Sequence, residues 1–131
     1  MQLYATVGSN RLDEAMKFYD ELLGLIGWRK IFDNNPAGGR FYGDVQTGML
    51  SVLTPFNEQP ATVGNGTMAG FALGSRAEVD AFHAKALALG GKDEGAPGYR
   101  GPEEMGAYFA YFRYLDGNKL CAFNWKPAAR G

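Results

Sequence analysis

Histidine and cysteine are almost absent from this chain of 131 residues, which has one of each, His83 and Cys121. A single cysteine excludes an intrachain disulfide. The net charge is only -1 and no basic stripe is visible, so nucleic acid is not expected as a partner. No apolar run reaches the roughly 18 residues of a membrane span, and residues 1–4 carry no signal-peptide pattern. We therefore expect a cytoplasmic protein that contacts no membrane.

Glycine and aromatic residues are plentiful instead, with 19 Gly, 9 Phe and 7 Tyr. This composition favours strands and turns. The length is that of one domain, and it suffices to bury a core without disulfides or a structural metal. We therefore treat residues 1–131 as a single domain.

Apolar residues recur at spacings of three and four near the start of the chain, at Ala15, Phe18, Leu22 and Ile26. This periodicity predicts an amphipathic helix over about 11–24, capped by Ser9 or Asn10 and ended by Gly24 and Gly27. Short β-prone runs predict four strands around this helix, at 2–8, 28–32, 40–45 and 49–53. Residues 33–39 are predicted to form a turn or loop.

The second half repeats this plan after a Pro-, Gly- and Thr-rich linker at about 56–66. A strand is expected at 68–73, followed by a helix over about 76–89 with Ser75 as its cap. The glycine-rich stretch 94–106 is predicted to be a loop. The last two strands are expected at 107–115 and 119–125, joined by a turn at 116–118.

The two halves align over their first strand and helix at a shift of 64 residues, which places Tyr4 on Met68. A shift of about 70 places the last strand around Ser51 on that around Cys121. This match predicts duplicated strand-helix-strand-strand-strand modules at about 1–55 and 67–126. The alternative is that any two strand-helix pairs align somewhere. Two such modules would form one concave surface, which is a common ligand site.

Several local motifs resemble the vicinal-oxygen-chelate superfamily of glyoxalase, bleomycin-resistance and extradiol dioxygenase proteins, and in particular a glyoxalase-like subgroup. The motifs are the first helix, the link between the modules, the second helix and the final turn, at 12–20, 60–67, 79–91 and 116–118. The resemblance covers nearly the whole chain. It implies an α+β fold in which two βαβββ modules form a curled mixed sheet around one cleft. It also implies a homodimer.

The family holds a divalent metal through His, Gln or Glu side chains on the first and last strands of each module. The matching positions here are Tyr4, Ser51, Met68 and Cys121. None of them is a ligand typical of the family, so we expect no metal cofactor. A Met68–Cys121 pair favouring a soft metal is the alternative, although both residue types are common in protein cores.

Other side chains are weaker candidates for function. Glu104, beside Glu103, is a weak catalytic candidate for acid–base work, and the alternative is a pair of solvated loop carboxylates. Arg40 and Arg100 could receive an anionic ligand group or could be surface charges. His83 is expected to be a packing or half-exposed residue in the second helix, and the alternative is a catalytic role.

The predicted strand 107–115 alternates, so either Tyr108, Ala110 and Phe112 or Phe109, Tyr111 and Arg113 face the cleft. We predict a ligand-binding cleft formed by Tyr4, Ser51, Met68, Tyr108 and Cys121. The leading hypothesis is metal-independent binding of a small organic molecule in an aromatic cleft. The alternative is a glyoxalase-like lyase or isomerase, related to lactoylglutathione lyase, that acts on a small oxygenated substrate. A third hypothesis is a scaffold whose cleft is filled by its own side chains.

Overall fold

The computed structural model describes residues 3–33, 38–44 and 47–127, and its internal contacts divide the chain into two units. Unit 1 is the chain up to Thr67 together with Leu115–Asn118, and unit 2 is Met68–Tyr114 together with the chain from Lys119. Most of the predicted turn at 33–39 lies outside the described residues. No helix in the described ranges is long and apolar enough to cross a membrane.

Unit 1 has the predicted order of strand, helix and three strands. The elements are β1 (Tyr4–Gly8), α1 (Leu12–Leu25), β2 (Lys30–Asp33), β3 (Gly39–Asp44) and β4 (Gly48–Leu53). They form a four-stranded sheet in the order β1-β4-β3-β2. The outer strand β1 runs parallel to β4, while the other pairs are antiparallel. The sheet is therefore mixed, as the resemblance implies.

Helix α1 covers one face of this sheet because its apolar residues form a single stripe: Ala15, Phe18, Tyr19, Leu22 and Leu23 are buried. The predicted cap is wrong. Arg11 occupies the cap position without a side-chain cap bond. Ser9 Oγ instead accepts from Arg11 N, and Asn10 Oδ1 accepts from Ala61 N, so both side chains hold flanking loops.

Unit 2 repeats the same order. Its elements are β5 (Ala69–Ala72), α2 (Arg76–Ala88), β6 (Lys92–Tyr99), a short 3-10 helix (Glu103–Met105), β7 (Ala107–Arg113) and β8 (Lys119–Trp125). The sheet order is β5-β8-β7-β6, again with the first strand parallel to the last. The predicted Ser75 cap is confirmed, since its side chain accepts from Glu78 N.

The predicted loop at 94–106 is wrong over its first part, because residues 92–99 form strand β6, antiparallel to β7. The glycines that suggested a loop lie at irregular points of the pairing. Gly95 lies opposite Tyr111, and a Cβ there would come within 2.9 Å of the Tyr111 ring. Glycine therefore permits a close approach of side chains over a bulged strand.

The strand register confirms the internal repeat. Thr6 pairs with Ser51 in unit 1, and Gly70 pairs with Cys121 in unit 2. These pairs are related by the shifts of 64 and 70 residues that align the two halves. The shift of 64 residues relates the first strands, and the shift of 70 residues relates the last strands. The two sheets therefore have the same strand pairing at these positions.

Candidate functional site

Each sheet has one face under its helix and one face away from it, because successive strand residues point to opposite sides. In unit 1, Tyr42 points towards α1, since its hydroxyl donates to Asp20 Oδ1 at 2.7 Å and to Met16 O at 3.2 Å. Leu50 lies opposite Tyr42 and is buried on the same side. The face away from α1 therefore holds Tyr4 and Ser51.

The two unit 1 positions predicted from the resemblance lie on one face but differ in exposure. Tyr4 is 47% exposed and stacks on Phe41, with 5.6 Å between ring centroids. Ser51 is fully buried, and its Oγ has no hydrogen-bond partner among the residues that the structure describes. Thr6, which the sequence did not single out, is the direct neighbour of Ser51 on β1.

The two unit 2 positions are a thioether and a buried thiol. Met68 directly precedes β5 and is 42% exposed. Cys121 lies in β8 beside Gly70, and a Cβ on Gly70 would come within 2.9 Å of Cys121 Sγ. Burial raises the pKa of the Cys121 thiol to about 11. The thiol therefore stays protonated near neutral pH, whereas a thiolate is the form that binds metals.

The donors at these positions do not fit the divalent-metal site that the resemblance implies. They are a phenol, a buried hydroxyl, a thioether and a protonated thiol, rather than imidazole, amide or carboxylate. Within residues 3–33, 38–44 and 47–127, no group of three or more His, Cys, Asp or Glu side chains could hold a metal ion.

An aromatic surface lies on the face of the second sheet away from α2, and we refer to Phe109, Tyr111, Phe123 and Trp125 as the aromatic face. Phe109 is its centre, stacked on Phe123 at 5.0 Å and on Tyr111 at 6.0 Å between ring centroids. Trp125 meets Phe109 edge-on at 5.9 Å. The structure thus places the set of Phe109, Tyr111 and Arg113 on the face away from α2, and which set faces a cleft stays a prediction.

Tyr108, which was predicted to line the cleft, points towards α2. Its hydroxyl donates to Asp80 Oδ1 at 2.5 Å, and its ring contacts Tyr99. The hydrogen bond to Asp80 raises the pKa of Tyr108. Since Tyr108 pairs with Asn124 rather than Cys121, the structure does not bring it to the face that holds Cys121.

Two cations flank the aromatic face. The Arg100 guanidinium carbon lies 5.3 Å from the Tyr111 ring centroid, and Lys119 Nζ lies 5.1 Å from the same centroid. Arg100 also donates to Gly98 O and to Ala96 O, which fixes its position. Neither Lys119 nor Phe123 was singled out from the sequence. Their place depends on the β7–β8 register, which alternation along one strand does not provide.

The remaining charged candidates are exposed or form ion pairs within the protein. Glu103 and Glu104 are exposed on the 3-10 helix. Arg40 forms ion pairs with Asp20 and Asp33, and its hydrogen bond holds the pKa of Asp33 below the usual value. This guanidinium is therefore already neutralised by the protein.

His83 is buried in α2, as predicted for a packing residue. Its Nε2 lies 3.1 Å from Asp93 Oδ1, and its ring contacts Phe112. The Asp93 carboxylate also accepts from Gly95 N. This pair therefore ties the helix to β6 on the covered side of the second sheet.

A cavity of about 470 Å³ lies in unit 1 between the end of β1 and the linker. Its lining includes Thr6, Gly8, Leu53, Pro55, Phe56 and Pro60. None of the residues that the sequence nominated as site residues lines it. Phe56, at its edge, is 99% exposed.

Comparison with known proteins gives one family and many similar structures. The family model of the glyoxalase/bleomycin resistance protein/dioxygenase superfamily matches residues 2–122. No curated protein matches the chain. A glyoxalase/bleomycin resistance protein from Albidiferax ferrireducens T118 is 42% identical, with a TM-score of 0.80 over 95% of this chain and 97% of that one.

Two further solved structures share the fold at lower identity. A glyoxalase-related enzyme from Fulvimarina pelagi is 19% identical, with a TM-score of 0.72 over 97% of both chains. Lactoylglutathione lyase from Agrobacterium tumefaciens is 23% identical, with a TM-score of 0.66 over 93% of this chain and 91% of that one.

Proposed function

Because the chain belongs to the glyoxalase/bleomycin resistance protein/dioxygenase superfamily, we propose that it is a metal-independent member that binds a small organic molecule. The ligand lies on the aromatic face of unit 2. The observation that carries this proposal is the stacked row of Tyr111, Phe109 and Phe123 on the face of the second sheet away from α2.

The rings suit this role because they are partly exposed and already ordered. Phe109, Tyr111 and Phe123 are each half-buried. Their mutual stacking fixes their side-chain rotamers, so ligand binding costs little further conformational entropy. An aromatic ligand placed against such rings gains about 0.5–1.5 kcal/mol per ring pair beyond the effect of buried area.

The donor set supports a role without a metal. Lyase or isomerase chemistry of the family would need a metal ion, or an acid–base group close to the ligand. Cys121 lies on the same face, but burial keeps its thiol protonated. The exposed carboxylates Glu103 and Glu104 lie on the 3-10 helix before β7. Binding without turnover therefore fits this face better than catalysis does.

We also propose a homodimer, in line with the family resemblance. Phe56 and Leu3 are 99% and 76% exposed in the single chain, and a partner could cover such apolar side chains. Sedimentation equilibrium tests this, with a mass of one chain as the contrary result. The cytoplasmic location stays a prediction from the sequence.

Two measurements test the binding proposal. Purified protein is incubated with Fe, Mn, Ni and Zn, desalted and subjected to elemental analysis. The proposal expects a metal content near zero. About one metal per chain would overturn it in favour of the lyase or isomerase.

The second measurement is calorimetric titration with neutral bicyclic aromatic compounds, of which 2-naphthamide is the reference probe. Binding is expected for the native chain and should weaken at least fivefold in Phe109→Leu. Phe56→Leu is the matched control, because it changes an exposed Phe of unit 1, and it should bind as the native chain does. Lack of binding, or equal binding by Phe109→Leu, would contradict the proposal.

A further inference from the structure

The two cations beside the aromatic face share one ring. Arg100 and Lys119 lie 5.3 and 5.1 Å from the Tyr111 centroid, within the range of cation–π attraction. The ring attracts both cations, but it carries no net charge and so leaves their positive charge on this face uncompensated.

Across the part of the chain that the structure describes, no carboxylate forms a salt bridge with Arg100 or Lys119. Arg113 lies on the same face of β7 but is paired with Glu94 at 3.1 Å. The positive charge of this face is therefore concentrated beside Tyr111, at the end of the stacked rings.

Two hydrogen bonds hold Arg100 in position and leave other N–H groups of its guanidinium for a ligand. Two of its five N–H groups donate to the carbonyl oxygens of Gly98 and Ala96, at 2.9 and 2.8 Å. Glycines make room for it. A Cβ on Gly95 would lie 3.3 Å from Arg100 Nη2, and one on Gly98 would lie 3.2 Å from Nη1. The remaining N–H groups form a fixed fork, which suits a carboxylate.

We infer that the natural ligand of this face is an aromatic carboxylate, with its ring against Phe109 and Phe123 and its carboxylate held by Arg100 and Lys119. This inference rests on the binding function proposed above and adds the charge and the orientation of the ligand. The guanidinium fork provides direction, while the Lys119 ammonium adds a mobile point charge.

The test compares 2-naphthoate with 2-naphthamide, which has the same ring system without the charge. Calorimetric titration at low salt should give a dissociation constant about tenfold lower for 2-naphthoate, as expected for one charge-assisted contact. Raising the salt concentration should weaken 2-naphthoate binding and leave 2-naphthamide binding unchanged.

The variants Arg100→Gln and Lys119→Gln should each remove most of the preference for 2-naphthoate, while 2-naphthamide binds as before. The matched control is Arg29→Gln, since Arg29 is an exposed cation of unit 1 and its loss changes the net charge equally. That variant should keep the full preference. Thermal denaturation of each variant establishes that it is folded.

The outcomes separate the two proposals. If neither compound binds, the proposed binding function fails. If both bind equally and the two charge variants change neither affinity, the charge inference is overturned while the binding function stands. An equal loss of preference in Arg29→Gln would also overturn it, because the effect would then come from net charge alone.

Discussion

Ser51 and Cys121 occupy equivalent positions in the last strands of the two sheets. Each pairs with a residue of the first strand of its module, which runs parallel to the last strand. The neighbour of Ser51 is Thr6, and the neighbour of Cys121 is Gly70. The larger sulfur thus faces a glycine, and the smaller hydroxyl faces a branched side chain. At this pair of positions, the first module has the larger side chain on the first strand, and the second module has it on the last strand.

Replacing Ser51 with alanine should leave the free energy of unfolding unchanged or raise it by up to about 1 kcal/mol. Its buried hydroxyl has no partner in the described part of the chain, and such a group contributes only its desolvation cost. Ser9→Ala is the matched control. Ser9 is also buried, but its Oγ accepts from Arg11 N, so its loss should cost about 1 kcal/mol. Urea denaturation measures both. Equal losses in the two variants would contradict this account of Ser51.

Gly70→Ala should destabilise the protein by about 1–3 kcal/mol, since the new Cβ would lie 2.9 Å from Cys121 Sγ in a packed sheet. Removing the sulfur should relieve this. In the Cys121→Ala background the cost of Gly70→Ala should fall by about 1 kcal/mol, measured as a double-mutant cycle.

Gly24→Ala is the control for the Gly70 experiment. Nothing lies within 4 Å of a Cβ placed on Gly24, which sits near the end of α1. This substitution should therefore stabilise the protein by about 0.5–1 kcal/mol through helix propensity. Additive costs for Gly70→Ala and Cys121→Ala would rule out the proposed contact.

The sequence predicts the module order well, because both helices have a clear apolar stripe and the repeat places the strands. It fails at β6, where Gly95 and Gly98 suggest a loop. Those glycines serve the approach of Tyr111 and Arg100 across a bulged strand, and that contact exists only in the folded sheet. The strand propensity of single residues therefore does not predict this contact.

The candidate site is predicted only in part. Arg100 is a candidate from the sequence because a guanidinium binds anions, and Cys121 is a candidate because of the family resemblance. The choice between Tyr108 and Phe109 needs the position of α2, because the contacts of β7 with α2, such as the bond from Tyr108 to Asp80, show which side of β7 the helix covers. The alternation of side chains along a strand shows that Tyr108 and Phe109 point to opposite faces. It does not show which of these faces the helix covers.

Tyr42→Phe should lower the free energy of unfolding by about 1–2 kcal/mol, because the Tyr42 hydroxyl is buried and donates to the Asp20 carboxylate. Burial raises the pKa of Tyr42, so the hydroxyl keeps its proton for that bond. Tyr108→Phe is the matched control. It also removes a bond to an aspartate, but at a more exposed site, and should cost less. Chemical denaturation measures the free energy of unfolding of both variants. A larger loss of stability in Tyr108→Phe than in Tyr42→Phe would refute the prediction.

Stability should fall as the pH rises from about 9 towards 11, in part because of Cys121. Burial raises the pKa of this thiol from 9.0 to about 11 in the folded chain. Between these values the unfolded chain loses the thiol proton more readily than the folded chain does. It therefore binds fewer protons, and the free energy of unfolding decreases with pH. Well below pH 9 the thiol is protonated in both states and contributes no slope.

The comparison is thermal denaturation of the native chain and Cys121→Ala across this alkaline range. The native chain should lose stability more steeply, because only it carries the buried thiol. Alkylation by iodoacetamide at about pH 8 gives an independent readout, because a buried, protonated thiol reacts slowly until the chain unfolds. Parallel pH curves together with rapid alkylation of the folded protein would mean that Cys121 is accessible and ionised, and its sulfur would then be available for chemistry on the aromatic face.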